Sequence, residues 1–499
     1  MVNTPQFARL RRRPKRIHIL AHRGLTSVLE NLRSTTESLA SSLLELATGS
    51  TVWLAVTGLS RAGKTVFITS LIHNLLSAAH NPHRMPLLKV VGERRLLGAT
   101  LSGAGGLPRF PYEANIDTMA SAPWTWPART EGLSSIEIDI RFIPAGPIGR
   151  LFGQLTGEAS SLKLKLVDYP GEWLLDLPLL TQSYAEWSRA CLRLYRKGVR
   201  AEAAKDFFTF LAAHPHHEGA SEDTARRAHE LYRAFLFTAR DQHGLSFLQP
   251  GRFLNPGALA AEPYLWFAPL DVPDESAPAS GTLGALMAER YDVYRREVVE
   301  KFYQDHFRRY SRQIVLVDVL RALLAGADAF EDTRLAIEAM VASFRYGRNS
   351  ILSRLIGQAG IDRVLFAATK ADHVPELQRD HLAALLRNMA ALPALDVTSR
   401  NAGFDVEAIA SVISTAEDSQ EIDGQRVQLV VGRPVGGEKQ VKLFVGTIPI
   451  RPPRRDAWNT PFLSVPVFEP PAIDPAPVEG IPHIRLDSAL DYLLGDRLQ

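Results

Sequence analysis

The feature that most constrains this chain is Gly58-Leu-Ser-Arg-Ala-Gly63-Lys64-Thr65, set between an apolar run and a helical pattern. Thr51-Val-Trp-Leu-Ala-Val-Thr57 reads as a strand buried on both faces, and Val66 to Ala79 carries helical spacing. The pattern G-x-x-x-x-G-K-[ST] arises by chance in about one chain in fifty of this length, and here it falls in the context its chemistry demands. Its glycines let backbone N–H groups close around a phosphate where a side chain would block the approach. The cradle is read as Gly58, Ser60, Arg61, Ala62, Gly63 and Val66, with Lys64 as the cation on the β- and γ-phosphates and the Thr65 hydroxyl as a Mg²⁺ ligand. The helix beginning there adds the positive end of its dipole. The fold class that follows is α/β: a P-loop NTPase sheet of mixed strands flanked by helices.

Two further motifs share that logic. Asp168-Tyr-Pro-Gly171 fits D-x-x-G and ends the alternating run Leu162 to Val167, so Asp168 can reach a Mg²⁺ and Gly171 can turn its N–H toward a γ-phosphate. The rival Asp241-Gln-His-Gly244 follows a helical pattern instead. Thr369-Lys370-Ala371-Asp372 closes another apolar strand and fits the [NT]-K-x-D signature of guanine recognition, in which the carboxylate accepts two hydrogen bonds from the base. Asp372 is expected at an exposed strand end, and Thr415, in Ser414-Thr415-Ala416, as the last base-contacting position. A switch threonine on Mg²⁺ is sought between the first two motifs. Thr118, Thr125 and Thr130 qualify, and Thr130 is chosen because it sits just before the strand Ile136 to Phe142; Arg129 beside it is the candidate to stabilise transferring phosphate charge.

The rest of the chain supplies the frame. Ile136 to Phe142 and Leu162 to Val167 predict an antiparallel pair, and Gly98 to Arg129 reads as a long mobile loop. Helical spacing dominates from Leu174 to Arg309 (Ala185–Val199, Ala201–Ala213, Glu222–Thr238 and Leu286–Tyr310), broken by a Pro-rich linker at Pro250 to Ser280. Strands resume at Gln313 to Asp318 and Asp362 to Thr369, with a hairpin expected from Arg426–Val431 and Gln440–Ile450. The division is therefore a basic segment and helix at 1–50, a core in two parts at 51–172 and 311–450, an inserted all-helical domain at 173–310, and a Pro-rich tail with a short helix at 451–499.

Composition narrows the function classes. Apolar residues at 46% and charged residues at 22% exclude global disorder. The one cysteine, Cys191, excludes a disulfide framework and suits a reducing, cytoplasmic setting. With 57 basic against 54 acidic residues no nucleic-acid partner is expected. The basic block Arg9, Arg11, Arg12, Arg13, Lys15 and Arg16 is either a solvated tail or a contact with anionic lipid or a partner, which would put the protein at the inner membrane surface. His214, His216 and His217 lack a carboxylate in helical register and are not read as a metal site.

The set Gly58–Thr65, Asp168–Gly171 and Thr369–Asp372, with Leu-Val-Asp168-Tyr-Pro-Gly-Glu-Trp and Gln313-Ile-Val-Leu-Val-Asp318, resembles the YcjX-like family of bacterial P-loop proteins over nearly the whole chain. The resemblance implies a stress-associated protein that binds ATP or GTP, a membrane-protein partner, and a layout similar to heterotrimeric G-protein α subunits, with a helical domain inserted in a GTPase-like core. Many GTPases carry glutamine after D-x-x-G to orient the attacking water; this chain has Glu172, so that carboxylate takes the role or hydrolysis needs help from Arg129 or a partner. The leading expectation is a Mg²⁺-dependent GTPase switch that converts GTP to GDP. The alternatives are an ATPase on the same loop and a nucleotide-stabilised membrane-surface scaffold with little hydrolysis.

Overall fold

Residue alternation along the central strands feeds two apolar cores at once, and this decides the architecture. Val52, Leu54, Val56, Ile314, Leu316, Leu365 and Ala367 pack into one core, while Ala55, Val315, Val317, Val364, Phe366 and Ala368 pack into the other. A strand that buries both faces needs helices above and below it, which is why these runs read as continuously apolar. The structure is a computed structural model describing residues 50–103, 106–122, 124–128, 132–146, 159–273, 278–349, 361–390, 403–422 and 424–499. The basic block Arg9–Arg16, the helix expected at 26–47, Arg129 and Thr130 lie outside the described residues.

The main sheet has seven strands: β1 (Ser50–Gly58), β2 (Leu96–Ser102), β3 (Ser134–Phe142), β4 (Ser160–Asp168), β5 (Arg312–Val317), β6 (Arg363–Ala368) and β7 (Gly403–Ala408). Their spatial order is β2-β3-β4-β1-β5-β6-β7. β1, β5, β6 and β7 run parallel, whereas β2, β3 and β4 pair antiparallel. The expected β3–β4 pair is present, with Ile138 opposite Leu164. Its other face is polar, and Lys165 there lies 2.7 Å from Glu137. A second sheet holds β8 (Ala416–Ile422), β9 (Gln425–Gly432) and β10 (Val441–Leu443), all antiparallel. The expected second arm of that hairpin, Gln440–Ile450, pairs over only three residues.

On one side of the main sheet the core takes in helix α1 (Lys64–Ser77), helix α2 (Tyr112–Ala120) and the C-terminal helix Leu486–Leu494. Gly98–Arg129 is therefore not one long loop: it holds most of β2 and all of α2. The glycine at 98 hid the strand because the ladder is irregular there, its register shifting between Leu96 and Gly98. No side chain caps the start of α2; its start is marked only by Pro111 and by Glu113 in the first turn. Between β4 and β5 the described residues form helices, turns and loops, with one isolated bridge, Gly219–Thr282, and no strand. The expected helix Leu286–Tyr310 is split into Leu283–Tyr294, a π-helical turn at Arg295–Glu300 and two shorter pieces. Thr51–Gln499 forms one compact unit. The Pro-rich tail is woven into it: the Ile481 N–H donates to Asn74 of α1 at 2.8 Å, and Ile484 bridges to Ala410.

Candidate functional site

At the end of β1 the chain must turn sharply beside β5. A Cβ on Gly58 would sit 2.6 Å from the Leu316 carbonyl oxygen, so only glycine fits. Arg61 and Gly63 both take positive φ, 64° and 86°, and α1 starts at Lys64. These reversals close the loop on itself ahead of the helix N-terminus, the geometry of a P-loop-like anion cradle. Arg321, in the helix Val319–Leu324 after β5, donates to the Ser60 carbonyl at 3.1 Å and braces the loop from outside.

Asp168 ends β4 next to this loop. Lys64 Nζ lies 3.3 Å from its Oδ1 and donates to the Tyr169 carbonyl at 3.1 Å. Asp168 is almost fully buried, yet neither carboxylate oxygen accepts a hydrogen bond among the described residues. A buried acceptor pair beside a threonine-headed helix fits a divalent cation completed by phosphate oxygens and water, the usual manner of Mg²⁺. Among the described residues there is no cluster of three or more His, Cys, Asp or Glu that could hold a metal ion. His214 pairs with Glu218, four positions on, at 2.9 Å, so the expectation that no carboxylate stands in register with His214, His216 and His217 is corrected. Gly171 is packed on the phosphate loop: a Cβ there would lie 2.4 Å from the Gly58 carbonyl oxygen.

The third motif follows β6. Lys370 takes a positive φ of 62° and reaches Asp318 at 2.5 Å. Asp372 is 4% exposed, so the expected exposed strand end is corrected. Its Oδ2 accepts the Ser414 N–H at 2.9 Å and hydroxyl at 2.7 Å, and the Thr415 hydroxyl donates to its carbonyl. Next to it, burial holds the His373 imidazole below the usual histidine range.

A cavity of about 410 Å³ joins these parts. Gly58, Ser60, Arg61, Ala62, Gly63, Lys64, Thr65 and Val66 line one end, with Glu172 beside them; Thr369, Lys370, Asp372 and Ser414 line another part of its wall. Asp168, Gly171 and Thr415 are not in the lining and reach it through Lys64, Gly58 and Asp372. The sequence reading missed Asp318 and Arg321, although an aspartate ending β5 repeats the pattern of Asp168 ending β4. It also missed His373, Val467 and Phe468 in the wall, for which no sequence signal exists.

The helix Glu172–Asp176, directly after Gly171, is held by the helical stretch. The buried Asp176 carboxylate accepts the Gly251 N–H at 2.9 Å and the Tyr294 hydroxyl at 2.6 Å, and burial pushes its pKa up to about 7. Arg252 lies 3.3 Å over the Trp173 ring, and a Cβ on Gly251 would strike the Glu172 carbonyl oxygen at 2.3 Å.

The model of the YcjX-like family, DUF463, matches residues 52–498. A protein of Escherichia coli (strain K12) named "Ras-like GTPase YcjX" is 37% identical over 454 residues, covering 89% of this chain and 96% of the relative. One of the same name from Shewanella oneidensis is 36% identical over 469 residues, covering 89% and 94%. By the family model and by both relatives, this chain belongs to the YcjX-like family.

Proposed function

We propose that the protein binds GTP and hydrolyses it to GDP and phosphate, as the names of its relatives suggest for them. The observation that carries this reading is the single cavity shared by the Gly58–Val66 loop and the Thr369–Asp372 loop, one suited to phosphates and the other to a guanine. The loop N–H groups and Lys64 bind the phosphates, Lys64 countering charge that grows on the β- and γ-oxygens. Thr65 and Asp168 would hold Mg²⁺, with Thr130 as a further ligand; the ion, when bound, supplies charge neutralisation on the phosphate oxygens. Glu172, in the cavity wall beside the phosphate loop, orients the attacking water, and Arg129 stabilises the transferring phosphoryl group from within the chain. Asp372 accepts from the base while Ser414 fixes its carboxylate.

The helical stretch 173–310 acts as an inserted domain that reads the nucleotide state. Support comes from the Glu172–Asp176 helix, one end of which touches the phosphate loop through Gly171 while its flank is held by Gly251, Arg252 and Tyr294. Among the described residues no helix is long and apolar enough to cross a membrane. Contact with an anionic membrane or a membrane protein is assigned to the basic block Arg9–Arg16. The test of the enzyme reading is multiple-turnover phosphate release with Mg²⁺ from GTP and from ATP. Release from GTP that exceeds release from ATP and vanishes in a folded Lys64→Ala variant supports it. Turnover of ATP alone makes the protein an ATPase, and no turnover of either makes it a scaffold.

A further inference from the structure

One part of the cavity wall comes from neither nucleotide loop. Trp126 and Pro127, from the segment before β3, and Val467 and Phe468, from the C-terminal region, all line it. The two segments are joined: the Trp126 indole Nε1–H donates to the Phe468 carbonyl at 2.8 Å. Phe468 is fully buried, and its ring lies 5.0 Å from the His373 imidazole, next to Asp372. This puts the junction at the end of the cavity assigned to the base. The strap around Phe468 is itself fixed to the turn between β9 and β10, because Val435 N–H donates to the Val467 carbonyl and Glu469 N–H to the Arg433 carbonyl, each at 2.8 Å. A Cβ on Gly432 would meet the Phe468 ring at 2.5 Å, so the ring seats on β9 where only glycine leaves room. The same sheet begins at Ala416, immediately after the Ser414-Thr415 pair that holds Asp372.

We propose that Trp126 forms an aromatic cap on the nucleobase side of the cavity, with the buried Phe468 as its anchor, and that the indole–carbonyl bond between them controls how long a purine nucleotide stays bound. The inference rests on the nucleotide reading above and extends it to residues outside the three motifs. An indole gives a base a flat apolar face, and its N–H is satisfied by Phe468, so burying it under a purine leaves no polar atom unpaired. The hydrogen bond ties together two segments far apart in the chain (residues 126 and 468) and holds the indole in the cavity wall. Loss of a cap of this kind acts mainly on dissociation rather than on encounter.

The test is stopped-flow displacement of N-methylanthraniloyl-GDP from the full chain by excess GDP. Trp126→Ala, with wild-type circular dichroism, should release the probe about tenfold faster or more, the range for losing one aromatic–base stack. Trp126→Phe, which keeps a ring and loses the N–H, should fall between the two. In a second readout, GDP should change the tryptophan emission of the wild type, and that change should be largely lost in Trp126→Phe although six other tryptophans remain. Wild-type release rates in both variants, or an unchanged emission response in Trp126→Phe, overturn the cap while leaving the nucleotide site standing. Failure of the wild type to bind the probe at all overturns the nucleotide reading and the cap with it.

Discussion

Asp176 ties the helix after the second motif to the helical stretch, and its titration makes that tie measurable. The carboxyl is fully buried, with the Gly251 N–H and the Tyr294 hydroxyl as donors and the Arg252 guanidinium as the nearby cation. Burial outweighs these favourable partners and raises the group from 3.8 to about 7. A raised acid keeps its proton longer in the folded state than in the unfolded one, so folding loses stability as pH climbs. The contribution is fully present below pH 3.8 and is lost as pH rises through about 7. At about 1.4 kcal/mol per pH unit, the whole loss is about 4 kcal/mol, of which about 2.5 kcal/mol falls between pH 5 and pH 8. Asp176→Asn replaces the carboxyl with a neutral group of the same shape that still accepts from Gly251 and faces Tyr294. Urea denaturation followed by circular dichroism at pH 5, 6, 7 and 8 should show the variant gaining on the wild type by about 2.5 kcal/mol across the series, nearly all of it below pH 7. Taking the difference between the two proteins removes every other titrating group. Curves that stay parallel from pH 5 to pH 8 would show that the folded Asp176 is already ionised at pH 5, as it is in the unfolded chain, and that the argument from burial is wrong.

Asp372→Asn should lower GTP affinity by about 10⁴-fold and raise affinity for XTP, because xanthine carries a carbonyl where guanine carries its exocyclic amine. Since Asp372 is buried and bonded to Ser414, the variant should also lose about 1–2 kcal/mol of stability; unchanged GTP binding would reduce Thr369–Asp372 to a structural turn. Cosedimentation with acidic vesicles should weaken with salt, as attraction decays over about 8 Å at physiological ionic strength, and should disappear when residues 1–16 are deleted. Equal binding by the truncated chain leaves the basic block as a solvated tail.

What the sequence disclosed and what it hid follow one division. The strands β1, β5 and β6 and the phosphate loop were legible because local chemistry dictates them: apolar runs for burial on two faces, and glycines where a carbonyl stands 2.6 Å from any Cβ. β3 and β4 were legible from alternation, since one face meets the core and the other carries Glu137 and Lys165. β2 and α2 were not: β2 is an irregular edge strand, and α2 is a short, uncapped helix whose apolar face rests on Tyr112, Ile116 and Met119 alone. Asp372 was read as exposed because a strand-end aspartate usually is. Ser414, 42 positions away, supplies the two donors that let it be buried. The C-terminal strap was read as a tail for the same reason: its partners Asn74, Arg433, Val435 and Trp126 are all distant in sequence, and proline content says nothing about them.

The central claim is that the cavity between the Gly58–Val66 and Thr369–Asp372 loops is a guanine-nucleotide site. The most direct measurement is calorimetric titration of the purified full chain with GDP, GTP, ADP and ATP side by side in Mg²⁺. One site per chain, filled by GDP and GTP and at least about a hundredfold weaker for ADP and ATP, is the predicted result, because adenine lacks the donor pair that a buried carboxylate requires. Equal or tighter binding of the adenine nucleotides, or heat from none of the four, would contradict it.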